Sequence, residues 1–107
     1  MGDLIRQQRH FLQLFVQTSF TQRRALLDTI TQLQLRVLSE IAHNIARGNV
    51  TLTSSEQTQL KRNRRFIHLL GDKRLGYKHK QKLVRSKQRT IYVLIKIAAT
   101  YLESVLQ

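Results

Sequence analysis

The residues of this chain best suited to chemistry are its cations. Between residues 61 and 89 stand Lys61, Arg62, Arg64, Arg65, Lys73, Arg74, Lys78, Lys80, Lys82, Arg85, Lys87 and Arg89, with Asp72 as the only acid: a net +11 in 29 residues. Such a block repels itself unless a polyanion relieves it. The chemistry it suits is neutralisation of phosphates with release of condensed counterions. Arg can grip a phosphate with two donors, while Lys acts as a point charge, and the two are equally mixed here. The bland alternative is a solvated surface, but such surfaces usually mix both signs. Reading a base sequence needs a few side chains on one helix, often Arg, Asn or Gln. These cations spread over two expected helices and a loop, so contact with the nucleic-acid backbone is the simpler reading. Asn63 and Gln81 could read bases, yet a solvent-facing role suits each better. Phe66 and Tyr77 are the only aromatics in the block, so stacking platforms for single strands are poorly represented.

Other chemistries find less support. The six carboxylates are isolated from one another in sequence, and the four glycines are scattered. No Gly-rich phosphate loop or nucleophile elbow is present. Glu40 and His43 have the Glu-x-x-His spacing of bundle metal sites. That site needs a second such pair and two further Glu residues, and the chain has only two other Glu residues. A polar stripe of Glu40, His43, Asn44 and Arg47 on the outside of a helix is the better reading, so no metal or other cofactor is expected. Asn49-Val50-Thr51 matches a glycosylation acceptor, a triplet that also arises by chance. An enzyme is the least expected class.

The elements that must carry the cations read as helices throughout. The chain has 107 residues, a formal charge of +13, no Cys, no Pro and no Trp. Disulfide frameworks and Cys-based zinc sites are thereby excluded. At 41% hydrophobic the composition supports a core,. Asp3 suits the start of a helix at 4–17, with Leu4, Ile5, Phe11, Leu12, Phe15 and Val16 on one face. Ser19 with Gln22 fits a capping box opening a helix at 20–30 that would bury Phe20, Leu26, Leu27 and Ile30. Thr31 with Gln34 repeats the signal for a helix at 32–47, with Leu35, Leu38, Ile41, Ala42 and Ile45 inward. Gly48 suits the left-handed position past its end. Thr53 and Glu56 form the clearest capping box, opening a helix at 54–70 that Gly71 ends. A basic helix follows at 77–87, where Lys78, Lys82 and Arg85 share a face and repel one another. The last helix, 90–106, is apolar almost all round, with Lys96, Thr100, Glu103 and Gln107 as a narrow polar stripe. Such a helix is usually buried, and Ile91, Leu94, Ile95, Ala98, Leu102 and Val105 would pack in the core or between subunits. The expectation is all-α: residues 1–107 as a single domain, a compact bundle of five or six short helices. The apolar parts 4–47 and 90–106 would supply the core, and the basic pair 54–87 the binding surface.

The run RRALLDTITQLQLRVLSEIAHNIARGNVTLTSSEQTQLKRNRRFIHLLGDKRLGYKHKQKLV at 23–84 resembles a family of short basic proteins encoded by Maverick/Polinton-type DNA transposons and the related adintoviruses. The pattern is RRALL, then LSEIAHNI-x-RG, then LKR-x-(K/R)R and a Lys-rich segment. The resemblance implies a virion or nucleoprotein core protein, similar in role to the small basic core peptide of adenoviruses that condenses the packaged genome. It assigns phosphate binding to Lys61, Arg62, Arg64, Arg65, Lys78, Lys80 and Lys82. One departure stands out. Relatives of that peptide tend to end in a hydrophobic tail containing Gly and Pro, and this chain has no Pro. The role of 90–106 stays open among membrane contact, capsid anchoring and self-association.

The expected function is therefore non-specific binding and condensation of double-stranded DNA, with DNA favoured over RNA and a homo-oligomer through 90–106 possible. The expected location is a virion or a host nucleus. The opening MGDLIRQQRHF lacks the basic stretch, apolar core and cleavage site of a secretory signal, so secretion is not expected. Rival readings are a helix-turn-helix regulator, an RNA-binding protein, and a basic amphipathic protein in contact with a membrane, the last not favoured.

Overall fold

Three local signals set where helices begin. In a computed structural model, which describes residues 3–106 and side chains through Ser104, all three capping boxes are closed in both directions. The Gln22 amide donates to Ser19 Oγ at 3.2 Å and the Ser19 amide to Gln22 Oε1 at 2.9 Å. The Gln34–Thr31 pair closes at 3.1 and 3.0 Å, and the Glu56–Thr53 pair at 3.1 and 2.9 Å. Each box satisfies two backbone donors that a helix start leaves unpaired. Gly48, with φ +74°, ends the fourth helix. Its amide donates to Ile45 O and that of Asn49 to Asn44 O, the paired bonds of a Schellman turn,.

The described residues form eight helices: α1 (Asp3–Gln7), α2 (Arg9–Gln17), α3 (Phe20–Asp28), α4 (Gln32–Ala46), α5 (Ser54–Arg62), α6 (Arg64–Gly71), α7 (Tyr77–Ser86) and α8 (Gln88–Leu106). The all-α expectation holds, and the count of five or six is corrected. Two expected helices are each broken by one residue, at Gln8 (φ −98°, ψ 22°) and Asn63 (φ −112°, ψ 23°). At Asn63 the cause is local. Its side-chain Nδ2 donates to Gln59 O at 3.1 Å and its amide to Leu60 O, so the last turn of α5 tightens,. At Gln8 the backbone bonds continue on both sides.

The core is built mainly from α2, α4, α6 and α8. Ile5, Leu12, Phe15, Leu38, Ile41, Leu70 and Val84 are fully buried. In α8, Ile91, Leu94, Ile95 and Ala98 are also fully buried and Leu102 nearly so. These five side chains belong to the core of the chain itself. Val105, placed with them by sequence, lies outside the described side chains. Among the described residues no helix is long and apolar enough to cross a membrane. The radius of gyration, 12.6 Å, is close to the roughly 13 Å of a compact chain this long.

Helices α4 and α6 meet closely, and Gly71 explains how. A Cβ there would stand 2.8 Å from His43 N and 2.9 Å from His43 Cα. The glycine is needed for backbone approach, not for an unusual φ. One expected core residue is overturned. Phe20 is 52% exposed: it is the first residue of α3, whereas the buried Leu27 and Ile30 lie at the other end of that segment.

Candidate nucleic-acid interface

Each basic segment is positioned by an ordinary device. The Thr53 box starts α5, the turn at Asn63 redirects the chain into α6, and Gly71 seats α6 on α4. The following loop is stapled by Asp72. Arg74 donates to its carboxylate from the backbone amide at 2.9 Å, from Nε at 3.2 Å and from Nη2 at 3.2 Å. The side-chain bonds from Arg74 hold the Asp72 carboxyl below the usual range. Lys87 links α7 directly to α8.

The twelve cations do not share one fate. Lys61, Arg62, Arg64, Arg65, Lys73, Lys78, Lys82, Lys87 and Arg89 are exposed and enter no ion pair among the described residues. Arg74 and Arg85 are exposed but engaged. Arg85 reaches the C-terminal end of α3, where Nη2 donates to Asp28 O at 2.9 Å and Nε lies 3.8 Å from Asp28 Oδ1. It serves there as a helix cap as well as a cation. Lys80 departs from the expected role. It is 8% exposed, and its Nζ donates to Ser39 Oγ at 2.6 Å. Ser39 in turn donates to Leu70 O at 2.6 Å. As placed, this lysine is withdrawn from the surface that meets solvent. His68 and His79 are exposed as well.

A groove of about 1600 Å³ gathers part of this charge. Arg62 of α5 forms one wall with Gln59 and Asn63, and Arg85, Lys87 and Arg89 come from the α7–α8 junction. The groove also takes in Arg23 and Arg24 of α3 and Lys96 of α8, against two acids, Asp28 and Glu56. Sequence reading did not assign these three cations to the site. Arg23 and Arg24 were visible only as an isolated pair, and Lys96 as part of a narrow stripe. Their proximity depends on α3 packing against α8. Two contacts fix that packing. Gln88 Nε2 donates to Phe20 O at 2.7 Å, and the Arg23 guanidinium carbon lies 4.0 Å from the centroid of the Tyr92 ring. Stacked on this ring, Arg23 leaves its buried Nε without a hydrogen-bond partner. Exposed Phe20 stands at the same wall.

Glu40 and His43 lie half-buried on the wall of a separate cavity. No group of three or more His, Asp or Glu residues converges among the described residues. The chain matches no family model, no curated protein and no solved structure.

Proposed function

We propose that this protein binds nucleic acid through its phosphates, without reading sequence, and condenses duplex DNA as a core component of a virion or transposon nucleoprotein. The observation that carries this is the exposure of eleven of the twelve cations between residues 61 and 89. Exposed cations without carboxylate partners hold solvent counterions, and a polyanion displaces them with a gain in entropy. The groove supports the reading further, because four of those cations meet three more there. Condensation requires one molecule to hold two duplex segments. Lys61, Arg64, Arg65, Lys78 and Lys82 are exposed and lie outside the lining of that groove, so cations are available at more than one place. The likeness of 23–84 to the transposon and adintovirus proteins points the same way and suggests a virion or host nucleus as the location.

The test is fluorescence anisotropy with random duplexes of about 30 base pairs across about 50–300 mM salt. Six to ten phosphate contacts predict a drop of roughly 10³–10⁵ in affinity between about 50 and 200 mM. A flat salt response, or one duplex bound far more tightly than random DNA, would exclude the proposal. Phe20 supports a second reading, single-stranded nucleic acid, since an exposed ring beside arginines can stack on a base. Preference for a single strand over duplex, abolished in Phe20→Ala, would favour that reading.

A further inference from the structure

Lys80 is the one cation of the basic block that solvent barely reaches, and it borders a cavity of about 650 Å³ between α4, α6 and α7. An ammonium carries three donors, and Ser39 Oγ accepts one of them. Neither ion pair among the described residues involves Lys80. The carboxylate whose charge acts on it, Asp72, is bonded to Arg74 and offsets the cost of burial only in part, so an anion entering the cavity would find an ammonium with donors to spare. The same cavity is lined by Arg36 and Lys73, with Glu40 as its one carboxylate. Three cations against one acid leave a charge of +2, which matches a phosphate monoester near neutral pH. Leu35, Leu75 and Tyr77 supply apolar lining. The Tyr77 hydroxyl is tied to Ile30 O at 3.3 Å, which leaves its ring to the wall. The volume lies within the range of small-molecule sites.

We propose that this cavity binds the phosphate monoester of a small organic molecule, with Lys80 and Arg36 on the phosphate and Leu35, Leu75 and Tyr77 against the organic part. The site is separate from the basic groove, and the proposal does not rest on nucleic-acid binding. Ser39 acts as the positioning residue: it accepts from Lys80 and donates to the Leu70 carbonyl, so the ammonium is held at one point.

The probe is phenyl phosphate, compared with inorganic phosphate, in calorimetry and in a two-dimensional NMR titration at about 0.15 M salt, where exposed charges are largely screened. Saturable binding is expected, with the largest amide shifts at Leu35, Ser39 and Tyr77 and with phenyl phosphate tighter than the inorganic ion. Lys80→Met and Arg36→Gln should each weaken it roughly 10- to 100-fold, as loss of a charge-assisted hydrogen bond implies. Arg36 is exposed, so its variant tests the site even if Lys80→Met fails to fold. Absence of saturation at about 10 mM, an affinity weaker than any useful site, overturns the proposal. So do unchanged affinity in a folded Lys80→Met or in Arg36→Gln, equal affinity for the two probes, and shifts confined to the α3–α8 groove.

Discussion

The groove at α3, α5 and α8 and the cavity at α4, α6 and α7 use the same residue types in opposite ways. In the groove the cations are many and mostly solvated, and most have no fixed partner. In the cavity one lysine is desolvated and held at 2.6 Å by a hydroxyl that is itself held at 2.6 Å. Solvated charge can slide along a polyanion, because no contact depends on a particular geometry. A desolvated charge interacts more strongly but only with what fits beside it. Lys78 and Lys82 stand two residues either side of Lys80 on one helix, yet both are exposed. The difference between regions thus comes from the helical turn of 100° per residue and from what α7 packs against, not from residue type.

The largest expected effect comes from removing four of the seven cations that line the groove. Replacing Arg62, Arg85, Lys87 and Arg89 together by Gln should lower the salt slope of DNA binding by about four, at nearly one for each phosphate left unneutralised. Affinity at low salt should fall by roughly two to three orders of magnitude, since slope and affinity come from the same released counterions. Phenyl phosphate binding in the cavity should not change. An unaltered slope would mean that cations other than these four carry the DNA, and the α7–α8 junction would lose its assigned role.

Next in size is the wall beneath the cavity. Gly71→Ala places a Cβ within 2.9 Å of the α4 backbone at His43. Backbone cannot give way as a flexible side chain does, so the helices must separate. Urea unfolding should show a loss of about 2–3 kcal/mol, at the upper end for overpacking. The cavity should lose its ligand before the groove loses DNA, because Gly71 lines only the cavity. A loss under about 0.5 kcal/mol, the size of an ordinary surface change, would show that α4 and α6 do not depend on that approach.

A smaller effect tests the groove side. Thr53→Ala removes the hydroxyl that accepts from the Glu56 amide and should cost about 1 kcal/mol by thermal or urea unfolding,. The start of α5, which borders the groove through Ser55 and Glu56, should show faster amide exchange while α6 does not. Equal stability and exchange would mean that α5 is held by packing through Leu60 alone.

These regions were not equally legible in the sequence. The capping boxes at Ser19, Thr31 and Thr53 and the turn at Gly48 were readable because each is completed within a few residues. The apolar periodicity of α4 and α8 was readable for the same reason: Leu35, Leu38, Ile41 and Ala42 of α4 and Ile91, Leu94, Ile95, Ala98 and Leu102 of α8 are buried, while Ile45 is half-buried and Val37, off the expected face, is fully buried. Phe20 was misplaced because one aromatic at the first position of α3 carries no periodic information. The closeness of α4 to α6 at Gly71 was not readable, since a glycine after a helix has a commoner explanation as its end. The site was half legible. Charge density marked residues 61–89, but the addition of Arg23, Arg24 and Lys96 depends on tertiary packing. The withdrawal of Lys80 depends on Ser39, 41 residues away.

The smallest effect is on pH, and it isolates Lys80. Burial lowers its proton affinity below the ordinary value of 10.5, and the charge of Asp72 offsets this only in part. The unfolded chain therefore holds the Lys80 proton more tightly than the folded one. With more protons bound in the unfolded state, stability rises with pH through that interval. The cost of the buried charge is complete at neutral pH and is relieved as the pH climbs toward 10.5. Met keeps much of the stem's volume and carries no charge, so Lys80→Met should be at least as stable as the parent at about pH 7, with its advantage shrinking as the pH rises. Urea midpoints for both proteins between neutral pH and about pH 10 measure that difference directly. Parallel curves would show that Lys80 is as solvated as its neighbours. Saturating phenyl phosphate sharpens the same test, because an anion beside the ammonium favours its charged form. The bound ligand should flatten the parent's curve and leave that of Lys80→Met unchanged.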